Sequence, residues 1–191
     1  MASVSQLVED VANIMGEPRD SVNSYARALL DAGILPKSKG RAIAQVKAID
    51  IVALFTAVCL QPKIKDVAKE VERYMNLKAV GGQDGPRNPE ELLAGDYLRG
   101  MVEAFISPSL DQEDRAERAA YMQCEIVFVQ NWPEIVIRTK DEVIFRFNEY
   151  DSTQWPYWHQ RTTVLSCQAF LVLRETALRD YVDALIGRGK V

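Results

Sequence analysis

The chain has a single histidine, His159, and three cysteines among its 191 residues, and none of them is placed for common catalytic or metal chemistry. Cys59, Cys124 and Cys167 lie far apart, each in an apolar run, with no C-x-x-C pair and no Cys/His cluster at zinc-ligand spacing. They read as reduced core thiols, because free cysteine is among the most buried residue types. His159 sits in "QWPYWHQR" with no nucleophile pattern such as G-x-S-x-G beside it. The terminal "GRGK" lacks both the spacing of a phosphate loop and a strand before it. Neither an enzyme, a metal nor a cofactor is expected. Also missing are a run of eighteen apolar residues and, in the opening "MASVSQLVEDV", the basic-then-apolar pattern of a secretion signal. A cytoplasmic protein without a membrane partner is the expectation. A general positive field is absent too: the net charge is −4 and the isoelectric point is near 5.2. Any attraction for nucleic acid must therefore be local.

What is present is apolar content of 48%, ample for a buried core. The first sixty residues predict three helices. Ser3 with Gln6 three positions on is a capping-box pattern, and Val4, Leu7, Val8, Val11 and Met15 follow at helical spacing until Gly16. A second helix is predicted from Pro18, whose fixed φ suits the first helical position, to a left-handed cap at Gly33. "KAIDIVALFTAVCL" is apolar on nearly every side except near its start, which predicts a central helix, with Pro62 either ending it or starting a new one. Residues 63–77 carry a further amphipathic pattern, with Ile64, Val67, Val71 and Tyr74 on one side. "KAVGGQDGPRNPEE" is rich in glycine and proline, so 78–89 reads as a linker between a helix-turn-helix domain, 1–77, and a second domain, 90–191. Helical spacing resumes over 90–106, and 111–121 is charged enough to be an exposed helix.

From Cys124 the character changes. "CEIVFVQ", "EIVIRTK" and "EVIFRFN" are rich in β-branched and aromatic residues and separated by short turns, the mark of an antiparallel meander. "RTTVLSC" is a fourth candidate strand, and an amphipathic helix is expected over 169–186. Trp155, Tyr157 and Trp158 read as a core plug or a self-association contact in preference to a group that stacks on bases or anchors a partner protein. The expected fold class is α+β: an N-terminal winged helix-turn-helix, a helical middle, and a C-terminal antiparallel β-meander packed with a terminal helix.

The candidate site lies in the second predicted helix and the loop after it. Arg19, Asn23 and Arg27 fall at i, i+4 and i+8, opposite the apolar stripe, with Ser24 beside them. Arginine can donate twice to the guanine major-groove edge, and asparagine can give and accept at adenine. The loop then supplies Lys37, Lys39, Arg41 and Lys47 with no acid among them, a charge pattern suited to phosphate. Residues 1–60 hold six basic and six acidic side chains, so segregation and not net charge makes the pattern. Asp20 and Asp31 near the same face oppose it.

The order helix, turn, helix, "DAGILP", basic loop, helix resembles the winged helix-turn-helix of MerR-type regulators, where Gly-Leu-Leu-Pro precedes the wing. The first sixty residues are also similar to small prophage-encoded helix-turn-helix proteins of alphaproteobacteria. The long terminal dimerisation helix and effector cysteines of MerR proteins are missing, so metal sensing does not carry over. The resemblance implies a phage-related DNA-binding protein; taken with the residue pattern above, the expectation is a non-catalytic, sequence-selective protein that binds double-stranded DNA as a homo-oligomer. That description fits a phage or prophage transcription regulator with a possible phage or host protein partner. The layout resembles phage terminase small subunits as well, which recognise viral DNA for packaging. A protein-interaction adaptor that never meets DNA is the reading from a different class.

Overall fold

The computed structural model describes residues 3–38, 43–81, 92–106, 119–149 and 162–167. Within these the protein is mixed α+β, with five α-helices, one short 3-10 turn and a five-stranded antiparallel sheet. No helix among the described residues is long and apolar enough to cross a membrane.

Helix α1, Val4–Met15, starts where the capping pattern places it: the Ser3 hydroxyl accepts from the Gln6 N–H at 3.2 Å. The reciprocal arm of the box is not made, because the Gln6 side chain turns forward and donates to Asp10 at 3.0 Å. Gly16, at φ 66°, closes the helix in the left-handed region that glycine enters without a Cβ penalty. Helix α2, Arg19–Ala32, begins one residue later than predicted. Pro18 has ψ 130° and is the cap, its carbonyl accepting from Ser21 and Val22. Gly33 ends α2 with its N–H directed to Leu29 and Leu30.

Helix α3, Ala48–Leu60, is the centre of the molecule. Every residue in it but Ile49 is buried, and it packs against α1, α2, α4 (Val67–Met75), α5 (Ala94–Ile106), β2 (Glu125–Val129) and β5 (Thr162–Ser166). Each large side chain removed from water here, such as Leu54 or Phe55, contributes about 1.5–3 kcal/mol by burial. The helical pattern predicted over 63–77 resolves into a 3-10 turn at Ile64–Asp66 followed by α4. Val67, Val71 and Tyr74 are buried as expected, but Ile64 sits in the turn before the helix and is 49% exposed.

Residues Lys78–Gly81, inside the stretch read as a linker, form strand β1, which pairs with β4, Val143–Asn148. Leu92 and Leu93 add to this edge: the Ala79 N–H donates to the Leu92 carbonyl and Lys78 bridges Leu93. Leu93 therefore belongs to a β-bridge, and α5 starts at Ala94 rather than within 90–93. The sheet order is β1-β4-β3-β2-β5, with β3 at Glu134–Arg138. The β2, β3 and β4 hairpins make the predicted meander, and the candidate fourth strand, now β5, doubles back beside β2.

One face of the sheet, carrying Ile126, Phe128, Ile135, Ile137, Phe145, Phe147 and Leu165, joins the helices in a single core that also holds Leu54, Phe55 and Phe105. Tyr97 of α5 lies across it, its ring centroid 4.5 Å from Phe145 and 5.7 Å from Phe147. Buried residues from both sides of 78–89 belong to this one core. The expected terminal helix over 169–186 and the Trp155/Tyr157/Trp158 group lie outside the described residues, as does 111–121 except for its last three positions.

Candidate nucleic-acid interface

Burial of Val22, Ala26 and Leu29 fixes the rotation of α2. At about 100° per residue Arg19, Asn23 and Arg27 fall within about 80° of one another on one flank of that buried stripe, not opposite it as the sequence pattern suggested. Asp20, Ser24 and Asp31 lie farther round, on the outermost face. Both arginines are exposed, Asn23 is half-buried and Ser24 is exposed. The two arginines are separated by about 12 Å along the helix axis, at 1.5 Å per residue. Ser24 differs from its neighbours, since its hydroxyl donates to the Asp20 carbonyl at 2.8 Å. Its proton is committed to the helix backbone.

The arginines of α2 are distinguished by what they lack. Arg73 pairs with Glu70 and Glu149, Arg99 with Asp96 and Glu103, Arg138 with Glu125, and Arg146 with Glu134. Among the described residues only Arg19 and Arg27 are arginines without an acidic partner. Guanidinium groups left unpaired on one helix face keep all their fork donors available to a ligand.

Lys37 is anchored at the far end of α2, its ammonium 3.6 Å from Asp31 with both side chains exposed. Asp31 occupies the last turn of α2, where the helix dipole disfavours a carboxylate, and Lys37 offsets that charge. The Ala44 N–H donates to the Ser38 hydroxyl at 3.1 Å, so the chain leaves at Ser38 and returns one hydrogen bond away. Lys39 and Arg41 lie between these points and outside the described residues. On the return, Gln45 bridges Ser3 at the start of α1. Lys47 is exposed at the N-terminus of α3, where its N–H donates to Asp50 at 2.7 Å. Burial raises the Asp50 carboxyl, and the Lys47 N–H and charge oppose that rise. The structure thus brings Arg19, Asn23, Ser24 and Arg27 onto one helix and Lys37 to its end, whereas Lys47 belongs to the start of α3.

The sequence reading missed the fastenings of this region. Ser38 was a plain loop residue until its hydroxyl met Ala44, and serine bonding of this kind is one known reason for its place in turns. Gln61, just past α3, is a second. Its side chain donates to Glu17 at 3.1 Å and ties the turn before α2 to the end of the central helix. Glu17 in turn contributes to raising the Tyr25 hydroxyl, after desolvation. His159 is outside the described residues.

No protein-family model, curated protein or solved structure matches this chain.

Proposed function

We propose that the protein is a non-catalytic, sequence-selective DNA-binding protein that reads duplex DNA with α2. Its role is that of a phage or prophage transcription regulator working as a homo-oligomer. The observation that carries this reading is the pair of unpartnered arginines, Arg19 and Arg27, set on either side of Asn23 along one exposed flank of α2. In a molecule of net charge −4, Arg73, Arg99, Arg138 and Arg146 each have an acidic neighbour, and among the described arginines these two do not. Arg19 and Arg27 have the donors for guanine, Asn23 has the donor and acceptor for adenine, and an α-helix fits the major groove. Lys37 at the C-terminal end of α2, with Lys39 and Arg41 in the loop beyond, supplies phosphate contacts that fix register without reading sequence. A winged helix-turn-helix arrangement belongs to this same reading. Paired half-sites on a symmetric oligomer then double the contact.

The test is selection of preferred duplexes from a random pool, followed by anisotropy titration of selected and scrambled DNA at two salt concentrations. Arg19→Ala, Asn23→Ala and Arg27→Ala should each weaken the selected duplex by about 1–3 kcal/mol while changing scrambled DNA less. Lys39→Ala and Arg41→Ala should weaken both duplexes alike and flatten the salt dependence. Failure of the pool to enrich, or unchanged binding after reversing both α2 arginines to glutamate, defeats the proposal and favours an adaptor that does not use DNA.

A further inference from the structure

Strands β2 and β5 run antiparallel with Glu125 opposite Ser166 as the last pair of the ladder, and Cys124 and Cys167 are the residues immediately beyond that pair. The Cys167 N–H donates to the Cys124 carbonyl at 3.1 Å. This is one arm of a hydrogen-bonded rung, in which facing Cα atoms stand about 5.5 Å apart; the other arm is not made, because the Cys124 N–H donates to the Tyr121 carbonyl at 3.0 Å. Disulfides bridge Cα separations of about 4.4–6.8 Å. Residues facing each other across a ladder also project from the same side of the sheet. For this pair that is the side of Ile126 and Leu165, the core side, and both cysteines are buried. The sequence places them more than forty positions apart, and only the return of β5 to β2 brings them together.

In the closed sheet the pair is inert. Burial raises the Cys124 thiol and pushes Cys167 up to about 12, with Cys124 adding to the second shift. The Cys124 thiol is also directed to the Ala120 carbonyl at 3.5 Å. A thiol held protonated and out of water neither attacks nor is attacked. We infer that Cys124 and Cys167 form a redox pair that closes into a cross-strand disulfide when the end of the β2–β5 ladder opens to a disulfide oxidant. One cysteine thiolate attacks oxidised glutathione, forming a mixed disulfide and expelling a glutathione thiolate. The second cysteine thiolate then attacks the protein sulfur of that mixed disulfide, forming the Cys124–Cys167 bond and expelling the other glutathione. The two cysteines lose two electrons, the glutathione disulfide gains them, and the two thiol protons end on the released glutathiones. The closed bond encloses β2, β3, β4 and β5 in one covalent loop, so β5 can no longer peel from the sheet.

The experiment uses the full chain exposed to oxidised glutathione, with and without denaturant just below the unfolding midpoint, followed by intact mass and non-reducing peptide mapping. The expected product has lost two hydrogen atoms, links the Cys124 and Cys167 peptides, and leaves Cys59 free for alkylation. Its unfolding temperature should rise by about 10 °C and return on reduction, as expected for a loop of this length. Cys124→Ser and Cys167→Ser should each stop at a glutathione adduct on the remaining cysteine, with no such rise. A wild-type product that keeps the adduct, links Cys59, fails to form, or melts where the reduced protein melts overturns the inference.

Discussion

Gln61 ends α3 with φ 48°, in the left-handed region, and from that conformation its side-chain amide reaches the Glu17 carboxylate at 3.1 Å. The non-glycine cap thus links the end of the buried helix to the turn that launches α2. Among the described residues it is the one non-glycine position with positive φ.

A β-branched side chain is poorly tolerated there, whereas glycine enters the region freely. Gln61→Val should destabilise the protein by about 1–2 kcal/mol, and Gln61→Gly should be neutral or stabilising, the lost exposed contact to Glu17 being offset by relief at the backbone. Urea denaturation of the two variants checks this. Equal losses for both place the value of Gln61 in its side chain and not in its backbone.

Tyr74 of α4 donates its hydroxyl to the carbonyls of Val129 and Trp132, pinning the β2–β3 turn to the helix layer. Tyr74→Phe leaves those acceptors without that donor and should cost about 1–3 kcal/mol. Burial raises the hydroxyls of Tyr74 and Tyr97 strongly. A group whose folded pKa lies above its unfolded value contributes stability that is whole below the unfolded pKa, about 10 for tyrosine, and lost as pH rises beyond it. Denaturation midpoints should accordingly hold to about pH 10 and fall above it, with a shallower fall in Tyr74→Phe. A midpoint that is flat to pH 12 contradicts the burial of these hydroxyls.

On the sheet face turned away from the helical core, Glu134 is 2% exposed and accepts from Arg146 at 2.8 Å. Removing one member of a buried pair strands the other, at about 3–5 kcal/mol. Arg146 retains 24% exposure, so Glu134→Ala should fall toward the lower end of that range. Adding Arg146→Met should recover part of the loss, which a double-mutant cycle by chemical denaturation reads directly. Additive losses would deny the coupling.

The ion pair of Asp31 with Lys37 sets two opposing charges at the end of the proposed reading helix. Asp31→Asn releases Lys37 for phosphate and removes a repulsive carboxylate, so affinity for any duplex should rise a few-fold at low salt and the salt dependence should steepen. Ser24→Ala, by contrast, should leave DNA affinity and sequence preference unchanged, because that hydroxyl bonds the Asp20 carbonyl. Anisotropy titrations at two ionic strengths distinguish the two outcomes. Weaker binding by Asp31→Asn would mean that the pair is needed to hold the loop in place.

The elements most legible in the sequence were those whose local chemistry and burial agree. Ser3, Gly16 and Gly33 marked helix ends that the backbone adopts, and the unbroken apolar run at 48–60 announced a helix covered on all sides. In β4 alternate residues face opposite sides only in the middle, where Phe145 and Phe147 are buried and Ile144 and Arg146 partly exposed; exposed Val143 and buried Asn148 break the pattern at the ends. What stayed hidden depends on partners distant in the chain. Nothing in "KAVG" calls for a strand until β4 and Leu92 supply its hydrogen bonds. The exposed side of α2 was readable from its periodicity, but the absence of acidic partners for Arg19 and Arg27 required the placement of every other described arginine. The facing of Cys124 and Cys167 likewise needed the strand order, which no spacing rule contains.

If the protein binds DNA as proposed, the hydrogen bond from the Ala44 N–H to the Ser38 hydroxyl bears on how tightly the segment between them can hold a duplex. Drawing the two ends of a segment together reduces its conformational freedom, and here that reduction happens during folding and not on docking. Lysine and arginine side chains carried on a tethered segment reach phosphate with less entropy left to lose. On the proposed function, a surface with few positive charges would thereby grip with a strength that their number alone does not suggest.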